Sequence, residues 1–340
     1  MMSSDDYAVI SAVAASGSGG FLTTIIDVSG SAYRKEGTMM FFSDDNWEMG
    51  LLSGGCIEQD ILARIKIEDD SKSSSSVVYD MRSEDDLSWG QGAGCDGSIT
   101  VLIEYANSEL IRNLSLVKKW LDNGYTVDHL KVLDHDLNLI SSVFITETGE
   151  IVGSGDTDIL HSVTVKKLHA DKQNGRYYFR QSFSPQPRLI IYGAGPDARP
   201  VCEIAKQAGF EVIVADWRQA YCTKKHFPKA NKLMIGNPVV MLEEINAGSN
   251  DFIVIMTHNF TKDKELLDYL LDKNYAFVGM LGSKKRADRL FSGNGKPDWF
   301  HSPVGFNINA DGPEQIAISI AAQLIAVKNS NVQTPHKVKK

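Results

Sequence analysis

The chain has 340 residues, 43% of them hydrophobic and 23% charged, with 35 basic against 43 acidic side chains and a net charge of −8. That composition excludes a disulfide-stapled miniprotein, a collagen-like chain and a wholly disordered one. An acidic balance also argues against nucleic acid and anionic membrane surfaces as partners, because both need a basic face.

In chain order, residues 7–15 are apolar and small and predict a helix that stops in the glycines at 17–20. Residues 21–28, apolar and β-branched, predict a buried strand. The polar run Ser29-Gly30-Ser31-Ala32-Tyr33-Arg34-Lys35-Glu36-Gly37 predicts a loop. A hairpin follows over 39–43 and 47–52, turning at Asp44-Asp45-Asn46. Ser53-Gly54-Gly55-Cys56 then leads into a helix over 57–67. Residues 68–76 and 82–94 read as polar loops on either side of a short strand at 77–81, and 98–105 alternates as a strand. A helix over 108–122 stops at Asn123-Gly124. Three or four strands are expected between 126 and 183.

Ser184-Pro185-Gln186-Pro187 predicts a stiff connector. Beyond it come strand 188–192, helix 197–208, strands 211–215 and 251–256, helix 262–272, strand 276–280, and helices 283–291 and 313–327. This alternation implies a parallel sheet with helices on both faces. The expected class is therefore α/β, with a mixed α/β domain over 1–183, a linker at 184–187, a Rossmann-like domain over 188–328 and a loose tail over 329–340. No run approaches the ~18 apolar residues of a spanning helix. The first six residues lack the basic and apolar regions of a secretory leader. Cys56, Cys95, Cys202 and Cys222 form no CxxC pair, which fits free thiols in a reducing cytoplasm.

The clearest motif is Arg188-Leu189-Ile190-Ile191-Tyr192-Gly193-Ala194-Gly195-Pro196-Asp197-Ala198, a buried strand running into GxGxxA. Gly193 permits the tight turn, Gly195 lets a phosphate approach the backbone, and Ala198 lets the helix pack on the strand. The phosphate would sit at the helix N-terminus. Asp216, at the end of the next strand, stands where an acidic residue meets a ribose hydroxyl. His258 follows the strand at 251–256, on the side of the sheet where ligands of open α/β folds bind. Ser283, Lys284, Lys285 and Arg286 gather beside Gly282 as a candidate anion site.

In the first domain, Cys56 sits at an expected helix N-terminus, which favours the thiolate. Gly54 and Gly55 let a bulky ligand approach the backbone. Cys95 lies in Gly92-Ala93-Gly94-Cys95-Asp96-Gly97 and is also wrapped by glycine. Core cysteines prefer apolar neighbours. Cys202, inside a helix beside Val201, fits that pattern, and Cys222 is read as structural. For Cys56 and Cys95 the reading favours a metal or sulfur ligand over acyl transfer.

These segments carry a resemblance. In the N-terminal half they are the loop at 30–37, Leu52-Ser53-Gly54-Gly55-Cys56-Ile57-Glu58 and Gly94-Cys95-Asp96-Gly97. In the C-terminal half they are the GxGxxA turn, Met256-Thr257-His258, Gly279-Met280-Leu281-Gly282-Ser283-Lys284, His301-Ser302-Pro303-Val304-Gly305 and the run at 313–320. In this order they resemble the XdhC/CoxI family, the xanthine dehydrogenase accessory factors, over nearly the whole chain. The resemblance implies a maturation protein rather than a catalyst. Such a protein holds the molybdenum cofactor, a dithiolene-bearing pterin with a phosphate, and aids its sulfuration with a cysteine desulfurase. It then passes the cofactor to xanthine dehydrogenase or a related molybdenum hydroxylase, in purine catabolism. Carried over by motif, Cys56 and Cys95 would meet the cofactor and its metal, with Arg34, Ser53, Gly54 and Gly55 around them. Soft thiolates suit a sulfur-rich molybdenum centre.

Two positions depart from the family pattern. Asp96 stands where a second glycine is common and would raise the pKa of the neighbouring thiol. Asn307 stands where an Asp is frequent. No glycine-rich, lysine-ended loop precedes residue 60, so the nucleotidyltransferase activity of some relatives is not expected. Two alternatives stay open. One is an NAD(P)-dependent oxidoreductase using Gly193, Gly195, Ala198 and Asp216, with Arg218 favouring a 2′-phosphate and His258 as proton donor. The other is an interaction scaffold with a disused pocket. A homodimer is the expected assembly, from the base rate for soluble chains and from family analogy.

Overall fold

Phe21, Leu22, Ile25 and Ile26 are buried on both faces of one strand, and that strand centres the first sheet. The computed structural model describes residues 4–17, 19–68, 74–82, 97–155, 163–164, 167–171, 174–292 and 295–331. They divide into two compact units, Met1–Pro185 and Gln186–Lys340.

The first unit runs α1 (Ser4–Ala15), β1 (Gly20–Gly30), β2 (Met39–Ser43), β3 (Glu48–Gly50), α2 (Cys56–Glu68), β4 (Ser75–Asp80), β5 (Gly97–Tyr105) and α3 (Ser108–Asp122). The strands β6 (Val127–Leu133), β7 (Leu139–Thr146), β8 (Ile151–Ser154), β9 (Leu168–Asp171) and β10 (Arg176–Phe183) complete it. They form two five-stranded sheets, β3-β2-β1-β5-β4 and β8-β7-β6-β10-β9. Both are antiparallel throughout. The second sheet has five strands where three or four were expected. β8 and β9 are four-residue strands at its edges with mostly exposed or half-exposed side chains, so they leave no buried periodicity to read.

Ile57, Ile61 and Ile65 recur at successive turns of α2 and pack with Phe21, Ile25, Tyr79 and Val101 on one face of the first sheet. Each side chain so buried contributes about 1.5–3 kcal/mol. On the other face, α1 and α3 bring Val9, Val13, Leu114 and Val117 against Leu22, Phe144 and Phe183, which joins the two sheets through one core. That junction also holds a buried ion pair, Lys131 Nζ with Glu104 Oε2, at 1% and 4% side-chain exposure. Buried Gln181 of β10 donates from Nε2 to the carbonyl of Gly37 at 2.6 Å, so the second sheet anchors the end of the loop that carries Arg34.

The second unit contains β11 (Arg188–Tyr192), α4 (Ala198–Gln207), β12 (Glu211–Asp216), β13 (Lys232–Ile235), α5 (Pro238–Ile245), β14 (Phe252–Ile255), α6 (Phe260–Leu270), β15 (Phe277–Met280), α7 (Lys284–Leu290), β16 (Phe300–His301) and α8 (Pro313–Asn331). Its sheet has the order β13-β12-β11-β14-β15-β16 and is parallel in every pairing. One core lies between the sheet and α4 with α8, the other between the sheet and α5, α6 and α7. This is the expected Rossmann-like arrangement, with β13, α5 and β16 added. The turns between β12 and β13 interrupt the strand–helix alternation that would have revealed them. Asn237 does mark α5 in the sequence. It caps the helix by accepting from the N–H groups of Val239 and Val240, with Pro238 just inside.

The chain moves from β11 to β12 and β13 on one side, then to β14, β15 and β16 on the other. The crevice for ligands thus opens between β11 and β14, beyond their carboxyl ends. The Ser302-Pro303-Val304-Gly305 segment proves to be a packing device. Val304 fills the space a side chain on Gly279 would need, and the Gly305 N–H donates to Gln323 Oε1 at 2.6 Å on α8. No described helix is long and apolar enough to cross a membrane.

Candidate functional site

Two glycine turns carry the candidate residues, one in each unit. The first runs from Ser53 to Cys56, which opens α2. Ser53 is buried, and its Oγ accepts from the N–H groups of Gly55 at 3.1 Å and Ile57 at 3.3 Å. Beneath the turn lies Glu58, 6% exposed. Its Oε1 accepts from the N–H of Leu52 at 3.0 Å and of Ser53 at 2.6 Å, and its Oε2 accepts from Ser53 Oγ. Burial pushes the Glu58 pKa up, but donation from the Ser53 hydroxyl and from these N–H groups outweighs it and holds the carboxyl below its usual range. Among the described residues the outer side is open: a Cβ on Gly54 or Gly55 would meet none of their atoms within 4 Å. Gly55 takes φ +109°, which favours glycine.

The loop with Arg34 joins β1 to β2 and is tied to itself. Gly37 N–H donates to Ile25 O at 2.8 Å, and Thr38 Oγ1 donates to Lys35 O at 2.8 Å. The Arg34 guanidinium lies 5.7 Å from the Tyr33 ring centroid. Cys95 and Asp96 fall outside the described residues. The chain re-enters at Gly97, opposite Gly30 in the β1–β5 register. A Cβ there would stand 2.5 Å from Ser29 O and 2.7 Å from Ser31 N, so only glycine permits this approach. Ala32 of the arginine loop packs into the same cluster as Leu52 and Ile57, which flank the Cys56 turn. Asp60, one helical turn beyond Cys56, accepts from the Tyr79 hydroxyl at 2.8 Å, and Tyr79 pairs with Ile99, two residues after Gly97. The fold thus gathers the Arg34 loop, the Cys56 turn and the start of β5 around one end of the first sheet. Glu58 is the residue sequence reasoning passed over. Its signal was available, as an acidic residue five positions after a serine that precedes two glycines.

The second turn follows β11. Gly193 takes φ +111°, and a Cβ on it would lie 2.4 Å from Met256 O, so the ends of β11 and β14 meet only because it is glycine. Ala198 is fully buried under α4 as expected. The other expectations of a phosphate cradle meet a different arrangement. Asp216 has its carboxylate turned inward, fully buried, rather than toward a ribose. Its Oδ2 accepts from the Ala194 N–H at 2.6 Å, and its oxygens also accept from the Arg218 N–H at 2.8 Å and guanidinium at 3.0 and 2.8 Å. Burial pushes its pKa up, but the Arg218 guanidinium and the two N–H donors hold it below the usual carboxylate range. Pro196 and Pro200 bring no N–H to the turn. The Ala198 and Arg199 N–H groups donate to Gly195 O and Pro196 O. The space over Gly195 is taken by Asp197 Oδ1, 2.7 Å from where a Cβ would be. His258 reaches into the same crevice, its Nε2 2.7 Å from Asp197 Oδ2. These residues do not fit a dinucleotide pyrophosphate.

Ser283 caps α7 by accepting from the Arg286 N–H at 3.3 Å, and Lys284 opens that helix. Arg286 is drawn away to buried Asp263 at 2.7 Å, which weakens the anion site expected there. Cys202 and Cys222 are buried. Burial pushes the Cys202 thiol up to about 11, and Cys222 Sγ donates to Val214 O and Met234 O, as befits structural thiols. Among the described residues no three His, Cys, Asp or Glu side chains gather to hold a metal ion.

Comparison with known proteins fits this division. A model of the XdhC and CoxI family matches residues 13–72, a BH1974-like central domain matches 108–184, and the XdhC Rossmann domain matches 189–324. A Bacillus subtilis (strain 168) protein described as a probable subunit of xanthine dehydrogenase is 42% identical over 311 residues, covering 90% of this chain and 92% of that one. The chain belongs to the XdhC and CoxI family. A crystal structure described as a xanthine dehydrogenase from Bacillus halodurans superposes with a TM-score of 0.88 at 39% identity, over 98% of each chain. An Escherichia coli (strain K12) protein described as the molybdenum cofactor insertion chaperone PaoD is 21% identical over 92% of this chain and 85% of that one.

Proposed function

We propose that this XdhC-type protein is a chaperone of the molybdenum cofactor. It holds the cofactor during sulfuration by a cysteine desulfurase and delivers it to xanthine dehydrogenase or a related molybdenum hydroxylase. It works as a cytoplasmic homodimer, with the functional halves at 1–183 and 188–328 joined by the 184–187 linker. The observation that supports this most is the turn before α2, organised from beneath by Glu58 and, among the described residues, open above Gly54 and Gly55. The relative described as a cofactor insertion chaperone supports the same reading.

The bound cofactor brings a metal centre with soft sulfur ligands. The chain's own part is to hold it. Cys56 and Cys95 supply thiols. Arg34 supplies a positive charge for a phosphate. Gly54 and Gly55 let a bulky group reach the backbone, and Glu58 keeps the turn from rearranging when the group leaves.

The test is metal and pterin analysis of protein purified without oxygen from a molybdate-fed, cofactor-competent host. Near-stoichiometric pterin and molybdenum are expected, and their loss in the Cys56→Ala, Cys95→Ala double variant at unchanged fold. Absence of pterin from the wild type, or full retention in the double variant, rejects the proposal. The rival oxidoreductase reading is disfavoured by the second turn, where Asp197, Asp216 and two prolines occupy or remove what a dinucleotide needs.

A further inference from the structure

Asp197 and His258 are 61 residues apart and meet across the crevice between β11 and β14. Asp197 occupies the N-cap of α4, yet its side chain caps nothing. An aspartate there ordinarily turns to the helix N–H groups. This one turns outward, with one oxygen over Gly195 and the other on His258. His258 takes φ +55°, a region that costs a non-glycine residue free energy. Its neighbours hold it there: the Asn259 N–H donates to Thr257 Oγ1 at 3.0 Å, and Thr257 Oγ1 donates to buried Asp263. The imidazole is 62% exposed, so its own burial does not compensate that strain. A strained residue, fixed from below, that presents a solvent-facing imidazole beside a carboxylate with no capping role is arranged for a ligand.

The polarity of the crevice sets the class of ligand. Where a Rossmann turn usually offers N–H donors to a phosphate, this one offers a carboxylate. A polyanion would meet like charge. A neutral ring with two adjacent N–H donors would meet its complement, because a carboxylate accepts from such an edge bidentately. The end of β12 adds a flat surface. The Arg218 guanidinium lies 4.4 Å from the centroid of Tyr221, whose side chain is partly exposed.

We propose that the Asp197–His258 pair in the second unit recognises the amino-lactam edge of a pterin ring. Asp197 accepts from the ring N–H and the exocyclic amino group, and His258 holds Asp197 in place and contributes a second polar contact. This rests on the reading of the chain as a carrier of a pterin cofactor and deepens it.

The test is equilibrium dialysis of the full chain against free 2-amino-4-oxopteridine, read by its fluorescence, and in parallel against NADH. Pterin should bind, and Asp197→Asn and His258→Ala should each weaken it about tenfold or more, the loss of one charge-assisted contact. NADH should not bind. Wild-type affinity for pterin in both crevice variants, no pterin binding by the wild type, or NADH binding that Asp197→Asn abolishes would each overturn the proposal. The two readings separate cleanly. Cofactor retained while Asp197→Asn binds free pterin normally sinks only this inference. No cofactor in purified protein, with free pterin still bound through Asp197, sinks only the chaperone.

Discussion

The two glycine turns look alike as letters and differ in where their carboxylates lie. At 53–56 the acid is below: Glu58 accepts from the turn's inner donors, and no described residue covers Gly54 or Gly55 on the outside. At 193–198 acids lie on both sides: Asp216 grips the Ala194 N–H from below, and Asp197 covers Gly195 from above. A glycine therefore signals an approachable backbone only when nothing else in the fold has moved into the space it leaves. By that measure the turn without a named fingerprint is the open one, and the dinucleotide fingerprint is the filled one.

Substituting the glycines breaks the comparison most sharply. Gly193→Ala combines a positive φ with a backbone atom 2.4 Å from the new Cβ. A loss of about 3 kcal/mol or more is expected, read by urea unfolding. Glu58→Ala comes next. It strands two buried N–H groups and a hydroxyl, for about 2–3 kcal/mol. Glu58→Gln should cost less, since an amide oxygen still accepts.

Acid sharpens the same point. The Glu58 pKa is depressed in the folded chain, so its contribution to stability is present above the unfolded value near ~4.3 and fades as pH falls through the lower folded value. The stability gap between wild type and Glu58→Gln should therefore be constant near neutrality and close below about pH 4. A gap that widens in acid would contradict the hydrogen-bonded, ionised carboxylate. The smallest effect on stability belongs to Gly54→Ala. With no described residue within 4 Å of its Cβ, it should change unfolding by less than about 0.5 kcal/mol. It should nonetheless lower the pterin and molybdenum retained on purification. If it unfolds the protein instead, the turn is a packing element and not an open face.

Much of this was legible along the chain. The buried run 188–192 and the helical spacing of Val201 and Ala205 announced β11 and α4, because local period and burial coincide there. Asn107, which accepts from the Leu110 N–H, and Asn123-Gly124 bounded α3 for the same local reason. Short edge strands escaped, since β8 and β9 bury too little to show a period and β16 is only two residues long. The Arg34 loop, the Cys56 turn and Gly97 could be named as motifs, but that they share one end of a sheet follows from the Gly30–Gly97 register and from Tyr79 reaching Asp60.

Sequence by itself determined the class of the protein: alternating elements after the proline linker, a tight glycine turn after a buried strand, and a thiol at a helix start. Those are local matters of backbone sterics, periodicity and residue chemistry. Only tertiary structure decided which turn is open. Whether Asp216 faces a ligand or the Ala194 N–H, and whether Asp197 caps its helix or meets His258, depends on partners tens of residues away. Spacing along the chain leaves such choices open, because a carboxylate takes whichever donors the folded chain brings within ~3 Å.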